Sequence, residues 1–427
     1  MGDFLYEDAK GPNLDHPDSA IRLACVVHRF KVPHIARKVS FSKSFSTAGR
    51  DPKTRKLVLN ADDARTRLAE SLGSGKISSE RVVADAKRYL PMIGQILLSC
   101  KVQPEMARLD EKLVFGWKSG LEFEPESFKS EAIMYDLVMT IVCEGLGRAV
   151  SATENSVGGE FAEASRDYAA AAGIFQFLAD DHLPKWISKG SKVDQKQLPS
   201  ECHAAMANAL KELFMANGQQ MAIATVLMKP GKPNYSMVAK LCLGVAEQLE
   251  HFITMLRKDS FHQMSRMDKD FFTLVTLQIN IQKSLSLYFQ GRGAWDKDNH
   301  GLAIALLSEA TVALRTREST AADGVPDVRQ TPALLPLDKD LKDLRSHMSA
   351  VLHTWEKDNS HVYFQKVPQH APASSKLQEG HQMKKVTVYV VEEVEPCLLV
   401  IPEGALERSD SDLARELSER LNAGEDM

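Results

Sequence analysis

The chain has 427 residues, 44% of them hydrophobic and 26% charged, with a formal net charge of −4. That is the composition of a globular protein, either two or three ordinary domains or one elongated one, and it gives no reason to expect nucleic acid as a partner. Cys25, Cys100, Cys143, Cys202, Cys242 and Cys397 are too scattered for a zinc site, and no apolar run is long enough to span a bilayer.

Residues 1–19 are polar and contain Gly11, Pro12 and Pro17, which predicts a flexible start. Residues 22–42 combine β-branched residues with short alternation, so one or two short strands, a β-hairpin, are expected there. The overlapping stretch 28–56 is locally basic and reads either as a solvated surface or as a contact for an acidic partner or membrane surface. No secretory signal is expected. Tyr6 stands where a myristoylation signal needs Ser or Thr, and the terminal GEDM offers no cysteine to prenylate.

Beyond residue 42 the helical period takes over. Val82, Ala86, Leu90, Ile93 and Leu97 form one stripe, with Pro91 inside it, and Ala132, Tyr135, Met139 and Val142 form the next. The segment RDYAAAAGIFQFLADDHLPKW (166–186) puts Tyr168, Ala171, Phe175 and Leu178 on one face. Its run of four alanines and Gly173 predicts a helix packed tightly between neighbours. A long helix over 200–228 is broken by KPGKPNY. Val238, Leu241, Val245, Leu249 and Phe252 follow, then 268–290 and a hairpin closed by 294–318. After a Pro-containing loop (319–336), Leu341, Leu344, Met348, Val351 and Trp355 mark a last helix ending near Asp358-Asn359.

The fold class expected is all-α: antiparallel helical pairs, tetratricopeptide-like at 275–318 but with no strict 34-residue period. The Val-rich stretch 384–402 could add a strand or run extended across the helices. Residues 409–422 space Leu413, Leu417 and Leu421 one turn apart, which suits a surface helix or a segment that docks into a groove of the same chain.

Catalytic patterns are missing. LGSGKIS (72–78) lacks the upstream Gly of a phosphate loop and has Ile77 after Lys76, so it reads as a turn. Gly291 and Gly293 follow a helix, not a strand, which argues against a dinucleotide site. His182 reads as a helix-end residue, and the histidines never adopt metal-ligand spacing. No enzyme activity, cofactor or metal is expected.

AAGIFQFLADDHLPKW (171–186) and DNSHVYFQKVPQHAP (358–372) closely resemble segments of the BRO domain, the ESCRT-accessory fold of the Alix and Brox type. VPHIARKVSFSKSF (32–45), MVAKL (237–241) and GLAIALLSEA (301–310) match in order and distance, over roughly 20–375. With residues 376–427 as a short tail, the chain is most similar to Brox-like members that have a single BRO domain, though it lacks their prenylation cysteine.

The resemblance implies a curved, banana-shaped solenoid. It also implies a cytoplasmic, monomeric adaptor, recruited peripherally to endosomal or other remodelled membranes. Its partner would be the amphipathic C-terminal helix of an ESCRT-III subunit, seated in a groove on the concave face. Two groove residues carry over to Met237 and Leu241, and a third, aromatic in Alix, falls near Ala222 or Ile223. Helical spacing puts Leu241 on the interior stripe with Val238 and Val245, whereas Met237 is offset by one position and is expected at the surface. A solenoid adaptor for other cargo, such as receptors, deubiquitinases or cytoskeletal linkers, is the alternative.

Overall fold

The computed structural model describes residues 17–46, 48–73, 78–103, 112–188, 198–314, 328, 331–382 and 385–397. The turn residues 74–77 and the leucine-striped segment 409–422 lie outside them. The chain opens with α1 (Asp18–Ala24) and β1 (His34–Ile35), followed by α2 (Pro52–Gly73) and α3 (Ser79–Val102). A hairpin of β2 (Phe115–Lys118) and β3 (Ser127–Ser130) precedes α4 (Ile133–Val157) and α5 (Phe161–Phe177). The remaining long helices are α6 (Ala204–Leu227), α7 (Tyr235–Asp259), α8 (Lys269–Trp295), α9 (His300–Ala313) and α10 (Asp338–Asp358).

The extensive packing between the helices from α2 to α10 is between consecutive members, which makes a stack. Burial follows position in that stack. Helix α4, between α3 and α5, buries nearly every residue from Tyr135 to Thr153, so its sequence shows little amphipathic contrast. The end helix α10 buries the single stripe Leu341, Leu344, Met348 and Trp355, and its other faces are polar. Ala171 and Ala172 on α5 are fully buried, and Phe175 packs on Phe214 of α6 with ring centroids 5.5 Å apart.

The sheet is antiparallel in the order β1-β2-β3, with Ile35 opposite Trp117 and Trp117 opposite Phe128. Only His34–Ile35 of the stretch expected to form a hairpin is strand. The hairpin is built by 115–130, where the turn at Gly120 lies so close to the Lys31 carbonyl that a side chain would collide with it. Residues 18–24 fold as α1 instead, because Ile21, Leu23 and Ala24 find a helical partner surface on α6, α8 and α10. Its carbonyl ends are held by side-chain amides. Gln278 donates to Leu23 O and Val26 O, Gln220 to Ala24 O and Val26 O, and Gln282 to Ala24 O.

Asp136 at the start of α4 joins sheet to helices. Its buried carboxylate accepts from Arg65 Nε and Nη2 at 3.2 and 3.1 Å, from Tyr89 Oη at 2.7 Å and from Trp117 Nε1 at 2.7 Å. Burial, and next the neighbouring Asp136 charge, push the Tyr89 hydroxyl well above its usual pKa, so it remains a donor.

After α10 the chain turns at Phe364, in the left-handed conformation (φ 54°), and runs back over the stack as an extended strap to Cys397. Lys366 lies on Gly301 of α9, and Leu377 N donates to Gln290 of α8 at 3.0 Å. Gly380 meets Gly244 of α7, and His381 N donates to Lys240 O at 2.9 Å. Thr387 N donates to Ala169 O of α5 at 3.1 Å, Tyr389 Oη to Glu144 of α4 at 2.8 Å, and Cys397 N to Ser99 Oγ of α3 at 2.7 Å. The extended course anticipated for the Val-rich stretch is the one seen over 385–397. The strap also explains the bare side of α5: a Cβ at Gly173 would collide with the Thr387 carbonyl.

Candidate functional site

Where α6 ends and α7 begins, the chain turns through Gly231 (φ 95°), a backbone conformation that suits glycine. Asn234 then caps α7, its side chain accepting from Met237 N at 3.1 Å. Tyr235 is pinned behind it, stacked on Phe289 at 6.1 Å and accepting from Arg292 at 3.2 Å. This fixes the first turn of α7 and with it Met237.

Met237 is 38% exposed, the one strongly exposed large apolar side chain of α7 among the described residues, while Leu241 and Ile223 are fully buried. Leu241 is drawn in with Val238, Val245 and Leu249, and its carbonyl accepts from Gln219 Nε2 at 2.9 Å. Of the three residues named from the sequence, Met237 is thus at the surface, whereas Leu241 and Ile223 belong to the core. Ala222 (5% exposed) and half-buried Val226 are on the α6 face that Gln219 shares, and Gln219 also donates to His381 O of the strap at 2.8 Å. Met237 opens α7 shortly after Val226 near the end of α6, and the strap crosses these two helices where Gln219 and Lys240 bond to His381. Sequence reasoning missed the strap as a neighbour of the first turns of α7, because a contact between residues 381 and 240 leaves no local signal.

Elsewhere, buried ionisable groups are engaged in holding the backbone. Glu201 accepts from Ser119 Oγ at 2.8 Å and Gly120 N at 2.6 Å, and its carboxyl is pushed up by burial. Burial raises the thiols of Cys25 and Cys100 to about 12, which keeps them protonated. Among the described residues no group of His, Cys, Asp or Glu is arranged to hold a metal ion, and no helix is long and apolar enough to cross a membrane.

A stack of consecutive helices braced by a strap defines a helical solenoid scaffold. The BRO1-like domain model matches residues 88–408, and the chain belongs to that family. It is 21% identical over 330 residues to the BRO1 domain-containing protein BROX of Mus musculus, covering 75% of this chain and 76% of that protein. The vacuolar protein-sorting protein bro1 of Emericella nidulans is 23% identical over 278 residues, and the match spans 25% of its length. Among solved structures, the ALIX BRO1 CHMP4C complex superposes with a TM-score of 0.65 at 15% identity, covering 87% of this chain and 98% of that one, which shows a shared fold.

Proposed function

We propose that this protein is a non-enzymatic adaptor of endosomal sorting that binds the amphipathic C-terminal helix of an ESCRT-III subunit in the groove at Met237. The observation that carries the reading is Met237 itself. It is an exposed apolar side chain on the first turn of a firmly capped helix, at the position where the family resemblance puts a groove residue. The likeness of the fold to a BRO1 domain in complex with CHMP4C points to the same class of partner. Lys31, Arg37, Lys38, Lys43, Lys53, Arg55 and Lys56 are all exposed, and they suit a peripheral contact with an anionic membrane surface.

Titration of ESCRT-III C-terminal peptides tests the reading. Met237→Asp places a charge where an apolar anchor is desolvated, costing about 2–4 kcal/mol, or about 30- to 1,000-fold in affinity. The melting temperature should hold, because the side chain is at the surface. Unchanged affinity in the variant, or no binding by the native chain, defeats the proposal.

A further inference from the structure

Over its last stretch the strap stands on edge. Thr387 N donates to Ala169 O at 3.1 Å, Glu395 O accepts from Gln95 Nε2 at 3.0 Å, and Cys397 N donates to Ser99 Oγ at 2.7 Å. All three residues are odd-numbered. In an extended chain the N–H and C=O of one residue point to one side, and those of the next residue to the other. The backbone groups of Val388, Val390, Glu392 and Val394 therefore point away from the helices. None of them is hydrogen-bonded among the described residues. The side chains there are open as well: Val388 and Val390 are 82% and 80% exposed, the most of any large apolar residue among those described. Lysine and proline, which blunt free strand edges, do not occur from 386 to 391. Pro396, with no N–H to offer, closes the edge at its far end.

We propose that this edge pairs with the same edge of a second copy of the chain, as two antiparallel strands related by a two-fold axis at Tyr389. The symmetry requires residues of equal parity to face each other, which the outward-pointing groups of the even residues satisfy. With the two Tyr389 residues opposite one another, Val388 of each copy lies opposite Val390 of the other, and Lys385 opposite Glu393. Charge is what commits the occupant to a second copy. Lys385 and Glu393 are both exposed and flank the apolar run four residues to either side of Tyr389, so antiparallel pairing joins opposite charges at both ends. The free edge points away from the helices, which puts the two stacks on opposite sides of the ribbon. The paired segment is short, so the dimer is weak and concentration-dependent. It departs from the monomer that the family resemblance implies.

Sedimentation of the full chain over a concentration series tests the pairing. The native chain should move from monomer to dimer. Lys385→Glu and Glu393→Lys each set like charges opposite one another twice, and each should weaken self-association at least about tenfold. An equal mixture of those two variants should associate as the native chain does, because every cross-strand pair is then again of opposite sign. Val390→Pro removes an outward amide and should abolish the dimer, while circular dichroism and melting stay native because that amide has no internal partner. A native chain that stays monomeric throughout overturns the proposal and leaves the edge to a strand from another protein. A dimer that survives Val390→Pro uses some other surface, and a mixture that fails to associate refutes the register; either result defeats the pairing.

Discussion

Asp136 is the residue on which most of the N-terminal architecture converges, because three buried donors from α2, α3 and β2 end on one carboxylate. Removing that charge strands Arg65, which is 3% exposed, without a counter-ion. Asp136→Asn is therefore expected to cost about 3–5 kcal/mol. Tyr89→Phe should cost about 1 kcal/mol, since the carboxylate keeps its other donors. Urea midpoints at constant slope measure both, and equal costs for the two variants would show that Asp136 is no hub. None of this was visible in the sequence, where Asp136 is one acid among many and its partners are 19 to 71 residues away. By contrast, the separation of Met237 from Leu241 was legible. A one-position offset from an interior stripe is enough to turn a helical side chain outward.

Among the elements, the strap shows best how far the chain can be read. Its β-branched alternation announced an extended segment, and the alanine–glycine run of α5 announced a close approach. The sequence could not say that one explained the other, because 214 residues separate Gly173 from Thr387. The expected hairpin was misplaced for a related reason. Strand propensity in 22–42 was overridden where α1 found apolar partners, while within 115–130 the two strands β2 and β3 pair with each other. The docking can be tested with two glycines on the strap's path. At Gly173 a methyl group would collide with the Thr387 carbonyl, whereas at Gly94 of α3 it would meet nothing closer than Val394 at 3.7 Å. Gly173→Ala is expected to destabilise the fold and speed exchange of the Thr387 amide. Gly94→Ala should be neutral or stabilising by up to about 1 kcal/mol, because Ala is the better helix former. Similar behaviour of the two would contradict the close docking.

At the level of the whole molecule, a stack of consecutive helix pairs has a weakness. Each layer touches only its neighbours, so such arrays lose cooperativity and can unfold from an end. Two segments here cross several layers. The N-terminal segment ties α6, α8 and α10 through its carbonyls and through the Arg22–Asp340 ion pair at 2.6 Å, and the strap ties α9 to α3. The helical stack was legible from periodicity, but its stitching was not, since each stitch joins residues far apart in the chain and most end on a backbone amide or carbonyl that any residue supplies. The strap is accordingly expected to make unfolding all-or-none. The full chain should unfold in urea as one transition, with the same midpoint by circular dichroism and by tryptophan fluorescence. Trp117 reports the α2–α4 end, whereas the stacked Trp295–Trp355 pair reports the α8–α10 end. A chain ending at residue 376 keeps every long helix and loses the crossing from α8 to α3. In that chain the two probes should separate, with a shallower slope for each. Coincident, equally steep transitions in the shortened chain would mean that layer-to-layer packing alone carries the cooperativity, and that the strap serves only the surface it borders.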